Sequence, residues 1–240
     1  MLFRSILLTL FFTVLLSAQQ KPVVVLELFT SQGCSSCPPA DKLLEEIKNT
    51  YNPSEVIPLS YHVDYWDYIG WKDPYASKKF THKQRIYAQK FFSSSIYTPQ
   101  LVINAKEHLV GSDKVKIINR IKQLLQKKNN TNIIKIKNAV KQNNKVDFSY
   151  QINGDTKRKK IHFLLVLNER ITKIKNGENR NRTLTNNNIV ITEEIKPITS
   201  SKGNYQLSIP KTITEKDTLK LIILISDESL DINTGVQYNL

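Results

Sequence analysis

The only cysteines of the chain occur as Cys-x-x-Cys, in Gly33-Cys34-Ser35-Ser36-Cys37-Pro38-Pro39. Two intervening residues let the sulfurs close a small disulfide ring. Upstream, Val23 to Phe29 is a nearly continuous apolar run suited to a strand buried on both faces. Downstream, Ala40, Leu43, Leu44 and Ile47 recur at helical spacing. The pair therefore sits at a strand-to-helix junction, where unpaired backbone N–H groups and the helix dipole favour thiolate over thiol. Cys34 is then the attacking nucleophile and Cys37, one turn inward, the resolving thiol. Zinc sites and permanent staples use the same spacing. With no second Cys-x-x-Cys, a closed zinc site needs ligands from His62, His82 or His108. Beside reduced cysteines, one histidine, His62, completes a Cys34, Cys37, His62 copper or zinc set. Exchange, metal holding and stapling all remain open on spacing alone.

Other residues bear on that chemistry. Tyr97-Thr98-Pro99-Gln100 leads directly into the apolar Leu101–Asn104, so Pro99 opens a strand well downstream of the cysteines. Glu27 lies inside the first apolar run. If buried near Cys37, its carboxyl has a raised pKa and takes a proton during exchange; at an edge it simply faces water. His62-Val63-Asp64-Tyr65-Trp66-Asp67-Tyr68, with Trp71 and Asp73, follows the second strand and falls at the cysteine end of the sheet. Its alternating aromatic and acidic side chains, Asp64, Tyr65 and Trp66 foremost, either line a substrate groove or cap the core.

The elements that position these groups follow from periodicity. Val56–Val63 reads as a second strand. Asp73 and Pro74 offer an N-cap and first residue for a helix reaching Phe92, with Ala76, Phe80, Tyr87 and Phe91 as its buried stripe. Strands at Leu101–Asn104 and His108–Val110 precede a helix capped by Ser112 or Asp113, with Val115, Ile118, Ile121 and Leu125 apolar. The order is βαβαββα, an α/β fold over 21–130. The polar run KKNNTN at 127–132 marks a boundary. From 131 to 240, six β-branched stretches predict a β-rich, sandwich-like C-terminal domain. The strands are Ile133–Val140, Lys145–Ile152, Ile161–Asn168, Ile189–Ile195, Tyr205–Ile209 and Leu219–Ile225. Thr172–Asn188, polar and carrying Arg180 and Arg182, is either a functional loop or surface drift.

Residues 1–18, with Arg4, an apolar stretch from Ile6 to Leu16 and the small Ser17 and Ala18, read as an export signal cut after Ala18, the alternative being an uncut anchor. Either way the cysteines work outside the cytoplasm, where disulfides persist. No stable span is expected once the signal is removed. With 40% hydrophobic and 23% charged residues, the chain is globular rather than disordered. The net charge of +14 is Lys-dominated and spread over both halves, which argues against a nucleic-acid face.

Residues 23–41, VVVLELFTSQGCSSCPPAD, together with YHVDYWDYIGWKDPYASKKFTHKQRIYAQ, YTPQLVIN and GENRNRTLTNNNIV, resemble the secreted bacterial thioredoxin-like family known as domain of unknown function 1223. The resemblance implies a thioredoxin-like domain followed by a smaller β-rich domain, with Cys34, Cys37 and Pro99 at redox positions. In thioredoxin-like folds the proline is cis and packs against the cysteine loop, leaving the Thr98 backbone to pair with an extended substrate. The expectation is a periplasmic or secreted thiol–disulfide oxidoreductase without cofactor. Its partners are protein or small-molecule thiols and disulfides and a redox partner protein, not nucleic acid. A copper or zinc carrier using the cysteines and a histidine, and a binding module with a structural disulfide, are the alternatives.

Overall fold

The computed structural model describes residues 22–127 and 132–240. The expected signal at 1–18 lies outside the described residues, as does most of the 127–132 boundary. Among the described residues, no helix is long and apolar enough to cross a membrane.

Strand β1 (Val24–Thr30) is buried along its whole length because both its faces are covered. Helix α1 (Pro38–Thr50) and strand β2 (Val56–His62) follow, β2 pairing parallel to β1 from Val24↔Val56 to Thr30↔His62. Helix α2 (Lys78–Lys90), strands β3 (Gln100–Ile103) and β4 (Glu107–Val110), and helix α3 (Lys114–Leu125) complete the first half. Alternation along β1 sends Val24, Leu26 and Leu28 to α1 and α3, and Val25 and Phe29 to the face carrying Phe80 and Tyr87 of α2.

Two helices differ from expectation. α2 starts at Lys78 with Ser77 as its cap, because the carboxylate of Asp73 is occupied by His62 and by the amides of Gln32 and Tyr75. α3, capped by Asp113, buries Ile117, Ile121 and Leu124, an i, i+4, i+7 row that leaves Val115 exposed.

The second half is β-rich: β5 (Ile133–Gln142), β6 (Lys145–Asn153), β7 (Lys160–Lys173), β8 (Thr183–Pro197), β9 (Lys202–Ser208), β10 (Leu219–Ser226) and β11 (Ile232–Asn239). It does not close on itself as a sandwich. β7, β8, β10 and β11 extend the first sheet into one of eight strands, ordered β11-β10-β7-β8-β2-β1-β3-β4, and β5, β6 and β9 form a second sheet. The seam is a single parallel bridge, Ser60↔Ile189, reinforced by Ser60 Oγ to Asn187 O (3.0 Å) and Asn188 Nδ2 to Pro58 O (2.8 Å). Joining the halves buries Leu164, Val166 and Val190 in the same cluster as Ile57, Leu59 and Tyr61, and removes two sheet edges. Sandwich-like stacking is confined to the small sheet, where Val146, Phe148 and Leu207 meet Phe163, Leu165 and Leu221. The long β7–β8 hairpin reaches past the sheet, and its tip lies on the cysteine loop.

Candidate active site around the Cys34–Cys37 disulfide

β1 ends at Thr30 and the chain turns through Ser31–Gly33 onto the start of α1. A Cβ at Gly33 would stand 3.2 Å from Trp66 Cβ, so glycine lets the aromatic segment close on the loop. Cys34 and Cys37 form a disulfide with a Cα separation of 5.4 Å, and both residues are 0% exposed. Free amides do not surround Cys34 as expected. Pro38 and Pro39 carry no N–H, Ala40 and Asp41 donate to Cys37 O, and Ser35 N–H is taken by Glu178 Oε2 at 2.9 Å.

Hydroxyls stand at the Cys34 sulfur instead. Thr98 Oγ1 donates to Sγ at 3.3 Å, and Ser36 Oγ lies 3.2 Å from it. Trp66 Nε1–H donates to Thr98 Oγ1 at 2.7 Å, which leaves the threonine proton to point at sulfur. The Thr98–Pro99 bond is cis. Trp66, Thr98 and the cysteines, expected together from sequence, are thus one constellation. Tyr65 packs beside Trp66, with its hydroxyl buried and its pKa pushed up to about 12 by that burial.

Thr172–Asn188 is not surface drift. Its ends belong to β7 and β8, and residues 174–182 form the tip. Asn179, fully buried, donates through Nδ2 to Gln32 O and Cys34 O, both at 2.9 Å, while its Oδ1 accepts from Arg182 at 3.0 Å. The hydrogen bond to Ser35 holds the exposed Glu178 below the usual carboxylate range. Gln32 reaches back, donating through Nε2 to Thr172 Oγ1 (3.1 Å) and Asn186 Oδ1 (3.0 Å) and accepting from Trp71 Nε1 (3.2 Å).

Behind the disulfide lies a buried charged cluster on the α1 face. Thr30 Oγ1 donates to Asp41 Oδ2 at 3.2 Å, and His62 Nδ1 pairs with Asp73 Oδ2 at 2.7 Å. Burial pushes the Asp41 carboxyl up to about 7, with His62 opposing. Burial also presses His62 downward, but the Asp73 charge and hydrogen bond outweigh it and raise the imidazole. Asp73 resists its own burial through His62 and the Gln32 and Tyr75 amides, and stays lowered. Asp41 and Asn179 went unsingled in sequence; the signal available for Asp41 was its place one helical turn after Cys37.

The other expected residues lie elsewhere. Glu27 is buried, but alternation turns it to the α2 face, where its carboxylate meets Lys83 Nζ (2.7 Å) and Tyr87 OH (2.5 Å), so it is not the proton group beside Cys37. Asp64 bonds Thr81 at the start of α2. His62, committed to Asp73, does not join the cysteines: among the described residues no group of three His, Cys, Asp or Glu side chains is arranged to hold a metal.

No curated protein matches the chain. The crystal structure of a protein from Agrobacterium tumefaciens is similar to it, with a TM-score of 0.67 and 26% identity over 92% of this chain and 95% of that one. The model of a family described as protein of unknown function (DUF1223) matches residues 25–226, and the chain belongs to that family.

Proposed function

We propose that this member of the family of unknown function 1223 is a periplasmic or secreted thiol–disulfide oxidoreductase whose first half is thioredoxin-like. The observation that carries the reading is the asymmetry of the pair: two hydroxyls, from Ser36 and Thr98, stand at the Cys34 sulfur, ready to hold negative charge there. The reduced Cys34 thiolate attacks a partner disulfide and forms a mixed disulfide, expelling one partner thiolate. The bound partner lies against the Thr98 backbone, with Trp66 and Tyr65 beside it. Cys37 then attacks the Cys34 sulfur, the Cys34–partner bond breaks, and the second partner thiol leaves. Two electrons pass from the dithiol to the partner, and the reverse sequence oxidises a partner dithiol. Neither direction needs a cofactor.

Full burial of both cysteines favours a second reading, a binding module stapled by an inert disulfide. Trapping separates the two. Cys37→Ser should accumulate mixed disulfides with partners and Cys34→Ser none; equal trapping by both variants, or by neither, overturns the oxidoreductase.

A further inference from the structure

We propose that the β7–β8 tip is a redox-coupled clip: by gripping the Gln32 and Cys34 carbonyls through Asn179 it keeps Cys34 and Cys37 at ring-closing distance and favours the disulfide, and reduction in turn loosens the tip. The coupling itself needs only the disulfide, while its part in turnover rests on the oxidoreductase reading.

Three observations carry it. First, Cys34 O accepts twice, from Cys37 N–H at 3.2 Å and from Asn179 Nδ2 at 2.9 Å. The carbonyl that folds the chain from one cysteine back to the other is therefore the one that the second half holds. The same Nδ2 donates to Gln32 O at 2.9 Å, so both protons of one fully buried amide are committed to the turn that carries the cysteines.

Second, Asn179 is presented rigidly. Within the tip, Ile174 N–H bonds Arg182 O and Asn181 N–H bonds Ile174 O, both at 2.9 Å, Arg182 N–H bonds Asn179 O at 3.0 Å, and Ile174 is buried. Arg182 donates to Asn179 Oδ1 at 3.0 Å, which fixes the orientation of the amide. Third, the tip is seated from another side as well. A Cβ at Gly177, whose φ is +74°, would stand 3.2 Å from Trp71 Cβ and 3.4 Å from Ile69 O, while Trp71 Nε1 donates to Gln32 Oε1 at 3.2 Å. Tip, aromatic segment and cysteine loop thus close on one another.

In the oxidised protein the S–S bond itself holds the cysteines together. Reduction by two glutathione thiols breaks it: two electrons and two protons pass to Cys34 and Cys37, and glutathione leaves as its disulfide. The ring is then open, and the turn alone keeps the thiols facing each other. A donor that limits the freedom of the reduced loop raises the effective concentration of one thiol at the other and draws the equilibrium back to the disulfide. Linkage makes the effect mutual: the factor by which the clip favours ring closure is the factor by which ring opening weakens the clip. Asn179 acts through main-chain carbonyls and is a positioning residue, supplied by the half of the chain that holds no cysteine.

The test measures the Cys34–Cys37 equilibrium in glutathione buffers for the wild type and for two variants that undo the clip differently. Asn179→Ala removes the donor, and Gly177→Val pushes the tip off Trp71 with a β-branched residue at positive φ. In both, the equilibrium constant for the disulfide should fall about tenfold, a rise in potential of about 30 mV. Glu178→Gln, which keeps an acceptor for Ser35 N–H, should shift it less than about twofold. In the wild type, hydrogen exchange of tip amides 177–182 should be about tenfold faster after reduction, and in Asn179→Ala it should be fast in both redox states. A tip that only braces the fold would lower the stability of both redox states equally. An unchanged or lowered potential in the folded variants, or tip exchange in the wild type that ignores the redox state, overturns the clip. If neither variant folds, the wild-type exchange decides alone. The wild-type potential by itself separates catalyst from staple, so the oxidoreductase reading and the clip can fail independently.

Discussion

Two buried charged clusters flank β1 and β2, one on each face of the sheet, and they are finished to different degrees. On the α2 face, Lys83 Nζ lies 2.7 Å from Glu27 Oε1, 2.7 and 3.0 Å from the two oxygens of Glu193, and over the Tyr61 ring. Tyr87 OH takes the other Glu27 oxygen, and His162 braces Glu193 from β7. Each carboxylate oxygen has a hydrogen-bond or ion-pair partner, and the single cation Lys83 serves both carboxylates. On the α1 face, Asp41 Oδ1 and His62 Nε2 are buried without a hydrogen-bond or ion-pair partner. A saturated cluster can only hold the fold together, whereas an unsaturated one retains a site for a proton. The first joins the halves, since Glu193 belongs to β8.

Removing a member should expose the difference. Lys83→Met leaves the Glu27 and Glu193 carboxylates buried without a cation, and should cost about 3–5 kcal/mol in urea unfolding. A loss below about 1 kcal/mol would mean the seam does not depend on the pair.

Asp41→Asn should act in the opposite sense. The folded pKa of Asp41 is raised from 3.8 to about 7, so the native state holds a proton that the unfolded chain releases. Its contribution is fully favourable below pH 3.8 and is lost as pH rises through about 7, a swing of up to about 4 kcal/mol. Asp41→Asn should therefore stabilise the protein at pH 8 and change little at pH 4. Glu193 has the reverse sign: burial opposes ionisation, but Lys83 and His162 hold it down to about 2, so its contribution is present above pH 4.5 and fades as pH falls toward 2. Chemical denaturation across pH checks both slopes; parallel slopes in wild type and Asp41→Asn between pH 4 and 7 would contradict the assignment.

Asn179→Ala comes next. It strips a donor from Gln32 O and Cys34 O in a buried site, a loss of about 1–3 kcal/mol, and frees the hairpin tip. Reduction of the disulfide by dithiothreitol should accelerate, and an unchanged rate would show that the tip does not limit access. Smallest is Glu178→Gln. Removing an exposed, salt-screened carboxylate at Ser35 should make the Cys34 thiol more acidic by a few tenths of a unit, an effect that disappears at high salt.

The order of elements in the first half was legible because its strands are continuous apolar runs and its helices carry apolar stripes. Trp66 and Thr98 came with the loops that follow those elements. The seam was not legible: one bridge between Ser60 and Ile189 leaves no periodic trace. β11 was missed because its sequence, INTGVQYN, is that of a polar edge strand. Asn179 hid in a run with no period, since its role is set by two carbonyls far away in the chain. Neither the burial of Glu27 nor the face it belongs to was legible, because its partner Lys83 comes from α2, whose packing no local pattern encodes.

The reduction potential of the Cys34–Cys37 pair, measured in glutathione or dithiothreitol redox buffers, tests the exchange reading most directly. A catalyst of thiol–disulfide exchange should lie between about −120 and −270 mV, and a value below about −300 mV would make the disulfide a structural staple and contradict it.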